Sequence, residues 1–447
     1  MSPKRDAANS IVLRTGVPDG WCEKRVGDLA QIVGGGTPDR EQSAYWRDGR
    51  IPWITPTDLT ANGKKFIASG AENITELGLE NSNATLVDPG AIVFSTRGTV
   101  GSMGIAAVPL TCNQSCEILV PKNEKVAGGF LYHLLNFGLS AFIRLSAGTT
   151  FSAITRGDIE RVRFAVPADT EEQCEIARIL DAIDVAIERS RTELEQTFAL
   201  RKSLLAALLT VGIGPDGLLR NPQLRPSDFV ASGIGTLPVS WTPSAVGVEF
   251  SLQNGFTLNE ERRPRFRKRR YLRVANVQRD VLDLHDVQEL EANDLEVAPR
   301  VLAKDDLLVV EGHADRMQIG RCALVTPEAA GMTFQNHLFR LRSLGRIVPA
   351  FGCLWLNSSY SQRYWNARCA TSSGLNTINQ RTLRRLVFPV PEKEEQEKIV
   401  NLVAAQRKHL DGLMERCRCM EALKKSLMHD LLTGRVRLMR EAKAVLS

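Results

Sequence analysis

Two stretches of this chain repeat one another, and their shared spacing constrains the fold more than any other feature. Glu171–Thr210 and Glu394–Thr433 both open on Glu-Glu-Gln (Glu171, Glu172, Gln173; Glu394, Glu395, Gln396) and set an isoleucine three residues on (Ile176, Ile399). Both close on Leu-Leu-Thr, Leu208–Thr210 and Leu431–Thr433, without an insertion. Steps of four and three mark one seam through Ile176, Leu180, Ile183, Ile187, Ser190, Leu194, Thr197, Arg201, Leu204 and Leu208. The same register in the second copy gives Ile399, Val403, Gln406, Leu410, Leu413, Cys417, Met420, Lys424, Leu427 and Leu431. A seam of this period is what two helices need to pack side by side. Neither copy holds a proline, and only Gly412 lowers helix propensity. Each helix would run roughly 57 Å, about 38 residues at about 1.5 Å per residue, which is too long for a small compact domain and reads as a spacer.

What the spacer separates follows from length. A chain of 447 residues exceeds what one core usually holds, so two domains of ordinary size plus the helices is the expected count. Pro167 ends the first domain, because proline sits badly inside a helix, and a Gly/Pro-rich run from Gly212 to Pro226 reads as a linker. The expected organisation is a tail 1–17, a domain 18–168, a helix 169–211, a linker 212–238, a second domain 239–391, a second helix 392–433 and a tail 434–447. Inside the first domain, Ala91–Ser95 is a strand, another strand ends at Val120, and Phe130–Leu145 has helical spacing. The plan restarts about 220 residues later: Trp241 answers Trp21, Tyr271–Asn276 answers Ile51–Pro56, and Leu308–Gly312 answers Ile92–Thr96. Gln335-Asn336-His337 answers Asn113-Gln114-Ser115, Ser373–Asn379 parallels the turn at Gly148, and Val390-Pro391 parallels Val166-Pro167.

Composition removes several function classes. Met1–Ser10 is charged and no apolar run is long enough to span a membrane, so a cytoplasmic location is expected. Nine scattered cysteines, without paired Cys-x-x-Cys knuckles, suit a reducing compartment and no metal site. Gly34-Gly35-Gly36 is not followed by Gly-Lys-Ser/Thr, which argues against a nucleotide loop. Glu311-Gly312-His313-Ala314-Asp315 is the most tempting catalytic cluster, but no paired nucleophile accompanies it. A net charge of +6 permits a polyanionic partner. Sharper is the run Arg262, Arg263, Arg265, Arg267, Lys268, Arg269, Arg270 and Arg273, eight basic residues in twelve positions with no acid among them. Such a run repels itself unless a polyanion neutralises it, which points to phosphate contact. The turn Arg97–Gly104 offers a second, smaller basic loop, beside the ordinary reading of a glycine-rich turn.

Several of these residues carry a family resemblance. Thr37-Pro38, Tyr45-Trp46, Gly49, Ile51-Pro52-Trp53-Ile54 and Asp58-Leu59 resemble the opening of a target-recognition domain in the specificity subunit of type I restriction-modification enzymes. So do Gly148-Thr149-Thr150 with Ile154, and the Val-Pro, Glu-Glu-Gln, Ile series leading into each helix. The resemblance runs from about Gly20 to Leu438, although the second half lacks the Tyr-Trp and Ile-Pro-Trp signature. It implies an α+β protein with two tandem target-recognition domains, each followed by a long helix, the helices packing as an antiparallel coiled coil with pseudo-twofold symmetry. It implies a DNA reader without catalytic residues or bound metal, each domain reading half of an asymmetric bipartite target while the helices set the gap. Two modification subunits and two restriction subunits would be its partners, and S-adenosylmethionine, ATP and magnesium would belong to them. Candidate DNA contacts in the first half are Thr37, Thr55, Thr57, Arg97, Asn113, Gln114, Thr149 and Thr150. In the second half they are Arg267, Lys268, Arg269, Arg270, Arg273, Asn276, His313, Arg316, Asn336, His337, Asn376 and Asn379. The competing expectation is a coiled-coil scaffold whose two domains bind peptides or protein partners rather than DNA.

Overall fold

The computed structural model describes residues 17–122, 127–146, 153–372 and 374–438. The chain divides into two compact units, Met1–Thr192 with Met414–Ser447, and Glu193–Leu413.

In the first unit Trp21–Arg25 pairs antiparallel with Arg163–Pro167, so the segment closes on itself just before the first long helix. A five-stranded sheet runs in the order Ala30–Gly34, Cys116–Pro121, Ile92–Ser95, Met103–Ala106, Phe66–Ile67. Ile92–Ser95 is buried at every position, as expected for a strand covered on both faces. A three-stranded sheet sets Ile51–Ile54 between Glu72–Ile74 and Thr111–Cys112, the latter pairing parallel. The helical span expected over 130–145 is two helices, Ala127–Phe137 and Leu139–Ser146, interrupted at Gly138. Phe130, Leu134, Leu135 and Phe142 share a core with Ile176 and Leu180 of the first long helix and with Met428, Leu431 and Leu432 of the second.

The second unit repeats this plan, with four strands in the larger sheet in place of five. Thr242–Ala245 pairs with Val387–Val390, and a four-stranded sheet runs Phe250–Asn254, Leu338–Ser343, Leu307–Val310, Cys322–Leu324. Lys268–Leu272 sits between Gln288–Glu291 and Thr333–Phe334, again with one parallel pairing. Two further features are present. Gly312–His313, Leu375–Thr377 and Ala370–Ser372 form a small sheet, and the stretch read as a linker carries a hairpin, Phe229–Ser232 with Gly235–Pro238.

Backbone pairing corrects part of the correspondence drawn from sequence. Gln335–His337 does occupy the place of Asn113–Ser115: Asn113 donates its N–H to Ile54 O at 2.9 Å, as Gln335 does to Leu272 O at 3.0 Å. Tyr271, however, pairs with Thr333 as Trp53 pairs with Thr111, so Tyr271 stands in the place of Trp53 and not of Ile51. Asn276 therefore matches Asp58, not Pro56, and each accepts the amide three residues back, from Arg273 and Thr55 at 2.8 Å. Glu311, not Gly312, stands where Thr96 does; their N–H groups go to His337 O and Ser115 O. The repeated frame is a hydrogen-bond pattern, and loops of unequal length displace side-chain identities along it.

The long helices are Thr170–Leu208 and Lys393–Leu432, of 39 and 40 residues. All the seam positions read from sequence are buried or half-buried. Within the first unit, partners run backward along the second helix as the first is followed forward: Asp184 meets Lys424, Ser190 meets Met420 and Arg191 meets Glu421, an antiparallel arrangement. Within the second unit Leu208 and Leu209 share a core with Ile399 and Val403. The repeated Glu-Glu-Gln has a structural use at both sites. Gln173 and Gln396 donate to Pro167 O and Pro391 O at 2.7 and 2.9 Å, fixing the turn into each helix. Glu172 takes a two-point ion pair from Arg437 at 2.8 and 2.9 Å. Glu395 takes one from Arg220, and also accepts from Ile213 N–H and Trp241 Nε1 at 2.8 and 3.1 Å. Both carboxylates are nearly buried, so the unpaired form would be costly.

Candidate nucleic-acid interface

In the first unit three loops far apart in sequence meet at the ends of the sheets. The turn after Ile92–Ser95 reaches the Asn113–Ser115 loop through Thr96, whose N–H donates to Ser115 O at 2.8 Å. It reaches the segment that begins at Ala153 through an Arg97 to Ala153 bridge and through Ile154 N–H to Thr96 O at 2.9 Å. A fourth segment, Gly34–Pro38, closes the group: Thr37 Oγ1 donates to Gln114 Oε1, and Trp53 Nε1 donates to Gly36 O at 2.8 Å. Glycine is required there, since a Cβ on Gly35 would lie 2.1 Å from Asn113 O. Those glycines thus serve a close backbone approach.

The second unit builds the same constellation from different side chains. Glu311 N–H donates to His337 O at 2.9 Å, Ile378 N–H donates to Glu311 O at 2.9 Å, and His313 pairs with Asn376. Gly255 approaches the Gln335 loop as Gly35 approaches Asn113. Where the first unit presents Arg97, Asn113 and Gln114, the second presents His313, Asn336 and His337. His337 Nδ1 lies 3.3 Å from Glu311 Oε2, and burial pushes the Glu311 carboxyl up despite that neighbour.

The candidates named from sequence divide accordingly. Thr37, Arg97, Asn113 and Gln114 come together in one unit, and His313, Asn336, His337 and Asn376 in the other. Arg97 and Gln114 are exposed, and Arg97 makes no side-chain hydrogen bond or ion pair among the described residues. Asn376 is engaged internally, donating to Ala314 O at 2.9 Å and accepting from Thr371 Oγ1 at 2.7 Å. Arg316 is exposed beside the group, its Nε 3.0 Å from Cys369 Sγ. Three other candidates are engaged inside the fold. Thr55 and Asn379 are helix N-caps, their side-chain oxygens accepting from Asp58 and Thr382 N–H at 3.3 and 2.8 Å. Asn276 is buried, its amide nitrogen donating to Asp283 O and Asp286 O at 2.8 and 3.0 Å. Thr57 is exposed on the first turn of the helix that Thr55 caps. Thr149 and Thr150 lie outside the described residues.

The basic run is less bare than its sequence suggests, because acids from the following segment reach back to it. Arg262 meets Glu296 at 2.6 Å, Arg273 meets Asp286 at 2.6 Å, Lys268 meets Glu289 at 3.8 Å, and Arg269 pairs with Asp294. Arg263 pairs with Glu260. Arg265, Arg267 and Arg270 keep exposed guanidinium groups without a side-chain hydrogen bond or ion pair among the described residues. The self-repulsion argument therefore applies to three of the eight residues.

Sequence reading passed over one further cluster. Lys65, His133 and Asp181 converge where the first unit's sheet and its helix Ala127–Phe137 meet the first long helix. His133 Nε2 is 2.6 Å from Asp181 Oδ1 and 3.1 Å from Lys65 Nζ, which itself pairs with Asp181. His133 is fully buried, and that burial lowers its pKa. His133, Asp181 and Asp184 could geometrically hold a cation, but Lys65 and Lys424 already supply positive charge to both carboxylates. Among the described residues no helix is long and apolar enough to cross a membrane.

Comparison with known proteins bears on the same residues. Residues 18–196 match the family described as the type I restriction modification DNA specificity domain. The MjaIX type I restriction enzyme specificity subunit of Methanocaldococcus jannaschii is 33% identical over 181 residues, 40% of this chain; the match spans only 41% of that relative's length. The StySPI specificity subunit of Salmonella potsdam is 23% identical over 401 residues, covering 87% of this chain and 82% of its own. The crystal structure of a type I restriction-modification system S subunit from M. genitalium superposes with a TM-score of 0.54 at 16% identity, covering 96% of this chain and 99% of the other, a likeness of fold.

Proposed function

We propose, from the premise that this chain belongs to the specificity subunits of type I restriction-modification enzymes, that it reads double-stranded DNA for such an assembly. Residues 18–168 read one half of an asymmetric bipartite target, residues 239–391 read the other, and the long helices set the gap. The observation that carries this reading is the repeated three-loop constellation: one hydrogen-bonded frame, with Arg97, Asn113 and Gln114 in one copy and His313, Asn336 and His337 in the other. A shared frame with different donors and acceptors suits two half-sites of different sequence. Arg favours guanine and Asn or Gln favours adenine in the major groove. Thr37 positions Gln114 in this reading.

The chain performs no chemistry of its own in this proposal. Methyl transfer and cleavage belong to modification and restriction subunits, two of each, which hold S-adenosylmethionine, ATP and magnesium. The test is exchange of residues 18–168 for the equivalent block of a relative, followed by methylome sequencing of the host strain. One half of the methylated motif should change while the other half and the gap stay. Alteration of both halves would defeat the assignment of one half-site to each domain, and a chain without sequence-selective binding alongside its methyltransferase would be a scaffold.

A further inference from the structure

Phe266 stands out among the exposed apolar side chains. It is 92% exposed, the highest value among the described large hydrophobic residues. Its exposure is not that of a slack loop. The three successive amides of Arg265, Phe266 and Arg267 all donate to the carboxylate of Glu291, at 2.8, 2.9 and 2.8 Å. Glu291 ends the strand Gln288–Glu291, which pairs with Lys268–Leu272, so the tip is tied to the sheet immediately behind it. Pro264 restricts the chain on the other side. The ring is thus held outward between Arg265 and Arg267, two of the three residues of the basic run whose guanidinium groups have no ion pair. A pinned cation-aromatic-cation tip suits a polyanion that also offers flat apolar faces. Duplex DNA does so when an apolar side chain enters a base step and basic neighbours hold the flanking phosphates.

We propose that Phe266 is a stacking wedge: its ring enters the target duplex at a base step, with Arg265 and Arg267 on the phosphates beside it. This rests on the DNA-reading function above and adds a residue to it. The wedge contributes affinity through stacking and makes binding depend on how easily that step opens, so it favours flexible pyrimidine-purine steps without reading base edges.

The experiment uses the full chain with its methyltransferase partner and a duplex carrying the motif returned by the host methylome, titrated over a salt series. Phe266→Ala should weaken binding between about fivefold and a hundredfold, the range expected for a lost base-aromatic stack. The dependence of log affinity on log salt should stay that of the parent, because no charge is lost. Phe266→Trp should restore affinity, and its emission, taken as the difference from the parent, should be quenched by the target duplex. Arg265→Ala with Arg267→Ala should instead flatten the salt dependence. Affinity of Phe266→Ala within twofold of the parent, or an unquenched Trp at that position in the bound complex, would overturn the wedge while leaving the DNA-reading function standing. Loss of the methyltransferase from Phe266→Ala in the absence of DNA would also overturn it, assigning the ring to a protein interface. A parent complex that binds target and scrambled duplexes alike would overturn the wedge together with the function on which it rests.

Discussion

At the scale of single residues, carboxylates decide how the basic run presents itself. Three backbone amides hold the Glu291 carboxyl below the usual glutamate range, and Arg262 with the Asn293 N–H holds Glu296 down to about 2. A carboxylate whose folded pKa is depressed contributes stability that is whole above its ordinary value and is lost as pH falls through that value toward the folded one. The Arg265–Arg267 tip should therefore keep its amide protection above the usual glutamate range and lose it as pH falls below that range. Hydrogen exchange at those three amides, corrected for intrinsic rates, is the measurement, and Glu291→Gln should already exchange fast at neutral pH. Persistent protection in that variant would mean that the carboxylate does not hold the tip. The same pairing sharpens a binding prediction. Replacing Arg267, Lys268, Arg269 and Arg270 with Ala removes two residues already neutralised by Glu289 and Asp294. The slope of log affinity against log salt should fall by about two rather than about four, with the motif unchanged. A fall near four would mean that DNA strips both acids from their partners.

At the scale of elements, the junctions between recognition segment and helix are polar and buried. Glu395 joins the start of the second helix to the segment following the first, through Arg220, Ile213 N–H and Trp241. Glu395→Ala leaves Arg220 and two further donors without their acceptor. Breaking a pair of this burial costs about 3 kcal/mol or more, and the urea midpoint of the second unit should fall accordingly. An unchanged midpoint would mean that water replaces the carboxylate at no cost. Asp181→Ala in the first unit strands Lys65, whose side chain is 11% exposed, beside the buried His133. That change should destabilise the first unit by less, about 1 to 2 kcal/mol, because Asp181 itself is 42% exposed and partly screened by solvent. Lys65→Met in the same background should recover part of the loss, because the stranded charge is gone; double-mutant analysis of thermal unfolding would show it.

At the scale of the whole molecule, the helices act as a ruler in the proposed function. Inserting one heptad in register into each, after Leu194 and after Cys417, preserves the seam and lengthens each helix by about 10.5 Å. At about 3.4 Å per base pair the gap should grow by about three pairs, with some loss of affinity because the half-sites also rotate about the duplex. Methylome sequencing of a strain carrying the lengthened chain reads the outcome. The unaltered spacing at full occupancy would remove the helices from that role.

The helices, their seam and the existence of two repeated domains were decided by the sequence alone, because a helical period is local and every turn restates it. Even so, nothing in the repeated Glu-Glu-Gln marks Glu172 and Glu395 as buried. Only folding brought Arg437 and Arg220 to them, from beyond the ends of the opposite helices. The three-loop sites were legible as residue types but not as a group, since Thr37, Arg97, Gln114 and Ala153 meet only once sheet register is set. The same register moved Asn276 from candidate reader to buried strut. The pairing of the basic run was hidden for a related reason: the acids that neutralise it lie mostly in the segment Asp286–Glu296, beyond the run itself. Periodic burial repeats along the chain and can be read there. Ion pairs and strand register join distant segments, so their partners are settled only when the tertiary structure brings those segments into contact.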